Sequence, residues 1–128
     1  MTALLDTHTI LWFWWDDPRL SASALNLIRD PTNRKLVSSG SVWEVAIKVS
    51  LGKLDVGGSF GGLFPQQMHR TNFEWLPISD DHLAVVATLP FHHKDPFDRL
   101  LIAQSLCEKI PIISADAVFD DYGVVRLW

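Results

Sequence analysis

Short apolar runs that end beside a carboxylate, alternating with segments of helical period, constrain this chain more than any other feature. Ala3-Leu4-Leu5 ends at Asp6. Leu36-Val37-Ser38-Ser39 leads through a short Ser/Gly link to Glu44, and Ile112-Ile113-Ser114 leads to Asp116. Asp98 falls in the opening turn of a helix. Strand-length runs alternating with helices predict a parallel sheet covered on both faces. In such a sheet, side chains just past the carboxyl ends of the strands converge on one crevice. Carboxylates gathered there repel one another, by about 4 kcal/mol for a pair at 4 Å and an effective dielectric near 20. A hard divalent cation such as Mg²⁺ or Mn²⁺ neutralises a cluster of this kind. The arrangement points to a metal held against a phosphate-bearing substrate.

The remaining punctuation supports the alternation. Thr7–Trp15 reads as a helix that Asp16-Asp17-Pro18 breaks, and Ser21 caps a second helix that Pro31 closes. A third helix is predicted over Ser41–Leu51, with Gly52 past its end. The glycines of Asp55–Leu63 predict a mobile loop, followed by a helix over Phe64–Thr71. Short strands are expected at Trp75–Ile78, Ile110–Ser114 and Val124–Trp128. Ser79 caps a helix to about Leu89, and Asp95-Pro96 starts the longest helix, to about Lys109, with Pro96 in the favoured first position.

At 128 residues the chain is expected to form a single domain over 1–128. The net charge of −4 gives no overall basic bias, so nucleic-acid binding must rest on local positive patches. A lone Cys107 rules out an intrachain disulfide. No apolar stretch approaches the roughly 20 residues that span a bilayer. The start lacks a basic n-region, so a cytoplasmic location is expected.

Each carboxylate also has a simpler reading. Asp6 and Asp116 could cap the helices that follow them. Ser41-Val42-Trp43-Glu44 matches a capping box. Asp98 stands at the third position of its helix, where the dipole favours a negative charge. What sets the four apart is their shared position along one rim. Other constellations are weaker. His92-His93 lacks partners at zinc-ligand spacing. Gly57–Gly62 is not followed by the Gly-Lys-Ser/Thr of a P-loop, and neither a Gly-x-Ser-x-Gly nor a Gly-x-Gly-x-x-Gly motif is present.

Together these residues resemble the PIN domain, and within it the VapC-type toxins of bacterial toxin–antitoxin pairs. The resemblance rests on Leu4-Leu5-Asp6-Thr7-His8, on Ser41-Val42-Trp43-Glu44 with Lys48 and Gly52-Lys53-Leu54, on Asp95 to Gln104, and on Ser114-Ala115-Asp116 with Phe119. It covers nearly the whole chain, and Asp95–Gln104 is its most specific part. It implies a three-layer α/β/α fold with a mainly parallel sheet and an acidic metal pocket at the strands' carboxyl ends. It further implies a Mg²⁺- or Mn²⁺-dependent ribonuclease whose acidic positions are Asp6, Glu44, Asp98 and Asp116. Asp6, Asp98 and Asp116 are expected to hold the metal, with Glu44 orienting water and the hydroxyl of Ser114 supporting the site. Cleavage of an RNA phosphodiester is expected to leave a 5′-phosphate and a 3′-hydroxyl. The implied partners are RNA, a cognate VapB-type antitoxin and a second toxin subunit.

Basic residues near the rim, Lys48, Lys53, Arg99, His92, His93 and Lys94, are expected to carry the RNA backbone. Leu11-Trp12-Phe13-Trp14-Trp15 points large side chains around most of a helix, so Trp12, Trp14 and Trp15 are expected to contribute to a protein interface. Two other classes compete with this reading. A phospho-accepting receiver domain needs adjacent acidic residues after the first strand, which this chain lacks. A catalytically inactive binding module of the same fold is disfavoured by the complete acidic set.

Overall fold

The computed structural model describes residues 1–128. Five strands, β1 (Thr2–Leu5), β2 (Arg34–Ser38), β3 (Glu74–Leu76), β4 (Ile112–Ile113) and β5 (Arg126–Leu127), form one sheet in the order β3-β2-β1-β4-β5. Every pairing is parallel. Six helices join them: α1 (Thr7–Trp14), α2 (Ala22–Arg29), α3 (Ser39–Ser50), α4 (Phe60–Thr71), α5 (Asp80–Thr88) and α6 (Pro96–Glu108). A 3₁₀ segment, Ala117–Tyr122, links β4 to β5.

The central strands are buried on both faces, which is why they read as unbroken apolar runs. Successive side chains point to opposite sides. Leu5, Val37 and Ile113 enter one core with Ile10, Trp14, Ile28, Val45 and Phe64. Leu4, Leu36 and Ile112 enter the other with Leu101, Ile102 and Phe119. Two helical layers therefore sandwich the sheet. Fully burying each such aliphatic side chain stabilises the fold by about 1.5–3 kcal/mol. After β1 the chain moves to β2, and after β4 it moves the opposite way to β5, so β1 and β4 flank a topological switch point. A crevice opens there at the carboxyl ends.

Several boundaries differ from those expected. α3 starts at Ser39 because Ser38 takes the cap, its Oγ accepting from the Gly40 N–H at 3.0 Å. Ser41 and Glu44 therefore form no capping box. Ser41 Oγ instead accepts from Thr7 Oγ1 at 2.9 Å, tying α3 to α1. α4 starts at Phe60, inside the segment expected to be a mobile loop. Ser59 caps it through the Gly62 N–H, and Phe60 and Phe64, one turn apart, pack with centroids at 5.2 Å. Apolar anchoring outweighs the poor helix propensity of Gly61 and Gly62. β3 stops at Leu76, before Pro77, which has no N–H for the ladder.

The aromatic run on α1 also divides. Trp14 is buried, packed edge-on to Phe64 at 5.2 Å and stacked on Phe73 at 6.0 Å. It belongs to the core and not to an interface, because its face of α1 points at α4. Trp15 is exposed, and Trp12 is half-buried between Trp128, His8 and the Arg19 guanidinium. No helix is long and apolar enough to cross a membrane.

Candidate active site

Asp6 leaves β1 at the switch point and caps α1, its Oδ1 accepting from the Thr7 N–H at 2.7 Å. Its other oxygen accepts from Ser114 Oγ at 2.7 Å. Burial pushes the Asp6 carboxyl above its ordinary range; the Ser114 bond, His8 and the Thr7 N–H pull it back, and the Glu44 charge pushes it further up. Ser114 also accepts from the Asp116 N–H at 3.0 Å, so one hydroxyl braces the ends of β1 and β4.

Glu44 is buried on α3, one and a half turns in. Its Oε2 pairs with Lys48 Nζ at 3.0 Å, one turn along the same helix. α3 reaches the site because it lies close against α6. A Cβ on Gly40 would come within 2.3 Å of Leu100 Cδ2, so the missing side chain permits the approach.

Asp98 stands at the third position of α6. Asp95 caps that helix, its Oδ1 accepting from the N–H groups of Phe97 and Asp98 at 2.9 Å each. The Asp98 carboxyl is pushed up to about 6, first by desolvation and then by the charges of Asp6 and Asp95, against the lowering effect of His93. His93 Nε2 lies 2.8 Å from Asp98 Oδ2. The charge of Glu44 thus acts on Asp6, and that of Asp6 on Asp98, linking three different elements.

Asp116 is placed differently. Its carboxylate is exposed and accepts from the Val118 N–H at 3.0 Å, capping the 3₁₀ segment. It joins the cluster through Ser114 rather than through its own oxygens.

The expected basic residues also divide. Arg99 is buried and donates to the carbonyls of Val86, Leu89, Pro90 and His93 at 2.9–3.4 Å, with the Phe91 ring over it at 3.9 Å. It is closed to a substrate because four carbonyls occupy it, and its role is to fix the loop that carries His93. Tyr122 clamps the same loop, its hydroxyl donating to the Pro90 carbonyl at 2.8 Å and accepting from the His93 N–H at 3.0 Å. Lys48 is engaged by Glu44, whereas Lys53, His92 and Lys94 are exposed.

Sequence reasoning missed Asp95 as more than a cap. Ligand atoms of His93, Asp95 and Asp98 lie within 4.8 Å of one another. Asp98 is therefore shared between this group and the pair it makes with Asp6. Of the two sets, Asp6 with Asp98 offers only carboxylate oxygens, the donors that a hard divalent cation takes. Asp95 Oδ1 already serves two N–H groups, and a ring nitrogen is a poorer donor than oxygen for Mg²⁺. Both Asp6 and Asp98 are raised carboxyls on one crevice, and a hard cation would favour their charged forms. Spacing could have indicated His93 and Asp95, since His93-Lys94-Asp95-Pro96-Phe97-Asp98 brings both to one helix start.

A model of the PIN domain family matches residues 3–125. Over 69 residues the chain is 38% identical to Ribonuclease VapC16 of Mycobacterium tuberculosis (strain ATCC 25618 / H37Rv), the match covering 51% of this chain and 48% of that protein. The chain thus spans about half the length of that relative. Among solved structures, a chain of VapBC2 from Rickettsia felis superposes with a TM-score of 0.72 at 14% identity, over 99% of this chain and 98% of that one. A toxin–antitoxin complex from Klebsiella pneumoniae gives 0.59 at 18% identity, over 90% and 87%. At these identities the likeness is one of fold.

Proposed function

This chain belongs to the PIN domain family, and from that membership we propose that residues 1–128 form a single PIN domain acting as a metal-dependent endoribonuclease, the toxin of a toxin–antitoxin pair working in the cytoplasm. One observation carries the reading: at the switch point of the sheet the Asp6 carboxyl is raised by the charge of Glu44 and the Asp98 carboxyl by the charge of Asp6, which links carboxylates from three elements. The 38% identical relative is named as a ribonuclease, which supports the activity. The Klebsiella neighbour, a toxin–antitoxin complex, supports the partner.

Asp6 and Asp98 would hold a Mg²⁺ or Mn²⁺ ion, with Asp116 contributing if its side chain leaves the cap. Bound there, such an ion supplies Lewis acidity toward the phosphodiester and lowers the pKa of water. Ser114 and the Thr7 N–H orient Asp6, so its oxygens are fixed before substrate arrives. Glu44, steadied by Lys48, orients the attacking water. In-line attack on phosphorus breaks the bond to the 3′ oxygen, leaving a 3′-hydroxyl on one fragment and a 5′-phosphate on the other. Lys53, His92 and Lys94 carry neighbouring phosphates, and His93 positions Asp98.

Trp12 and Trp15 line a cavity of about 190 Å³ with His8, Leu11, Lys48 and Leu54, between α1 and α3. It adjoins Glu44 through Lys48, and it suits an antitoxin segment that covers the site. A second toxin subunit completes the expected assembly.

The test is cleavage of RNA by purified protein with Mg²⁺ or Mn²⁺, with chelator as control, followed by end analysis. Cation-dependent products bearing 5′-phosphates are expected. Full cleavage in chelator, or 2′,3′-cyclic ends, would overturn the metal-dependent mechanism.

A further inference from the structure

The largest cavity, about 420 Å³, lies at the other end of the sheet from the acidic crevice. Arg34 opens β2 there and Glu74 opens β3, while Arg29 ends α2 and Arg70 lies in the last turn of α4. Lys35 completes a set of four cations against one lining carboxylate. In a chain of net charge −4 this local excess is out of keeping with the rest. A cation near a helix C-terminus is favoured by the dipole, which accounts for Arg29 and Arg70 singly but not for their convergence with Arg34 and Lys35.

The groups are only partly satisfied. Arg34 forms a two-bond pair with Glu74 at 2.9 and 3.0 Å, which uses up the only lining carboxylate. Lys35 is buried, and its Nζ donates to the Asp30 carbonyl at 3.1 Å. Nearby Asp30 is held by the Thr32 N–H and hydroxyl at 2.9 and 2.7 Å. Arg70 donates to Gln67 Oε1, and neither Arg29 nor Arg70 forms an ion pair. Two guanidiniums therefore remain open to a ligand, and guanidinium matches phosphate with paired N–H bonds. Only Phe13 and Ile28 of the eleven lining residues are hydrophobic, so the side chains on offer suit a charged group better than a lipid chain.

We propose that this cavity is a second phosphate-binding site, engaging the backbone of an RNA whose scissile bond lies in the acidic crevice. The proposal rests on the ribonuclease reading above. The five residues of β2 span about 17 Å, so an RNA of several nucleotides running along the molecule reaches both ends while a dinucleotide does not. Phosphate contacts position a substrate without reading its sequence. An acidic protein that cleaves a polyanion needs such a patch to offset its net repulsion.

The test measures binding with chelator present, so that affinity is read without cleavage. The probes are a labelled unstructured RNA long enough to span the molecule and a labelled dinucleotide. The variant is the double reversal Arg29→Glu with Arg70→Glu, and Arg29→Gln with Arg70→Gln serves as a milder form if the reversal melts early. The long RNA should bind the reversal variant at least about tenfold more weakly. Its slope of log affinity against log salt should fall by about 1.4, at roughly 0.7 for each single-strand phosphate that the protein ceases to neutralise. The dinucleotide should bind both proteins alike. Unchanged affinity and slope for the long RNA would overturn the proposal. So would inorganic phosphate or polyglutamate binding that depends on the two arginines while RNA binding does not, because the cavity would then belong to a small anion or an acidic protein segment. Wild-type protein that binds RNA through these arginines but never cleaves it would sink the ribonuclease reading and leave the cavity standing.

Discussion

The two ends of this sheet handle charge in opposite ways. At the amino ends, cations are mostly exposed and Arg34 is neutralised by Glu74, whose carboxyl is held below its ordinary range by that partner. At the carboxyl ends, Asp6 and Asp98 are wholly or partly buried and both are pushed up, chiefly by burial, and their neighbours add like charge. The first end holds its unpaired cations at the surface, where water screens them. The second holds carboxyls that burial and, to a lesser degree, like charge push toward their neutral form, a cost that a hard cation would offset. Groups held away from their ordinary pKa by burial and like charge mark functional sites more often than groups resting in ion pairs.

The largest expected effect comes from removing charge at the carboxyl ends. Asp98→Asn keeps the shape and stays tolerable near a helix start, but it removes an anionic ligand. Cleavage with Mg²⁺ should fall by more than about 100-fold, beyond the usual cost of losing a partner one layer out from a metal. The metal-free variant should be at least as stable as wild type above about pH 6, since a carboxylate charge disfavoured by burial and by its acidic neighbours is gone. Rates and melting temperature on one preparation decide it. Near wild-type cleavage would break the contrast between the two ends.

Glu44→Gln should have the next largest effect, a loss of about 10–100-fold in rate. Glu44 is not part of a capping box, so the change does not touch the helix start. It removes an i,i+4 pair with Lys48 worth about 0.3–0.5 kcal/mol and relieves repulsion on Asp6, so stability should barely move. Wild-type turnover would confine Glu44 to that ion pair.

The strands and their order of charge were legible because apolar runs ending in Asp report buried strands at a crevice. The start of α3 was not, because Ser38, Ser39 and Ser41 are all acceptable caps, and it is the Ser38 hydroxyl that takes the Gly40 N–H in the folded chain. The start of α4 was hidden by four glycines whose helix-breaking tendency is overridden by Phe60 and Phe64. Arg99 looked like a substrate contact because sequence gives its charge but not the four carbonyls around it. Trp14 looked exposed because a run of aromatics does not say which face α4 covers. Asp116 was readable both as lying at the end of β4 and as a cap, and the structure has its carboxylate capping the 3₁₀ segment through the Val118 N–H.

A pH series sharpens the comparison further. The Asp98 carboxyl titrates at about 6 in the folded protein against an ordinary 3.8. Between those values the native state holds a proton that the unfolded state has lost, so metal-free stability falls as pH rises through that window. The stabilising proton is fully effective below 3.8 and gone above about 6. Asp6, also raised, adds a change of the same sign. Measured in chelator, the melting temperature of wild type should drop relative to Asp98→Asn over this range and then level off. Added Mg²⁺ or Mn²⁺ should restore it above about pH 6 and do little below, since cation and proton compete for the same oxygens. A gap that does not change with pH would mean that the Asp98 carboxyl is not raised in the folded protein.

The smallest effect is expected at the amino ends. Arg34 and Glu74 are both well exposed, and their side chains meet across neighbouring strands at 2.9 Å. Water screens such a pair, and ordering two long side chains offsets most of the Coulombic attraction between them. Glu74→Gln should therefore leave the melting temperature within measurement error at moderate salt, and cleavage of a dinucleotide should not change. What should move is the affinity for long RNA. Freed from its carboxylate, Arg34 turns from a closed pair into a third open cation beside Arg29 and Arg70, so binding should tighten modestly and become steeper in salt. Titrating wild type and variant with the long RNA across a salt series measures both. A variant that lost several degrees of stability would mean that the amino-terminal end relies on its ion pair as heavily as the carboxyl end does on a cation, and the contrast between the two ends would not hold.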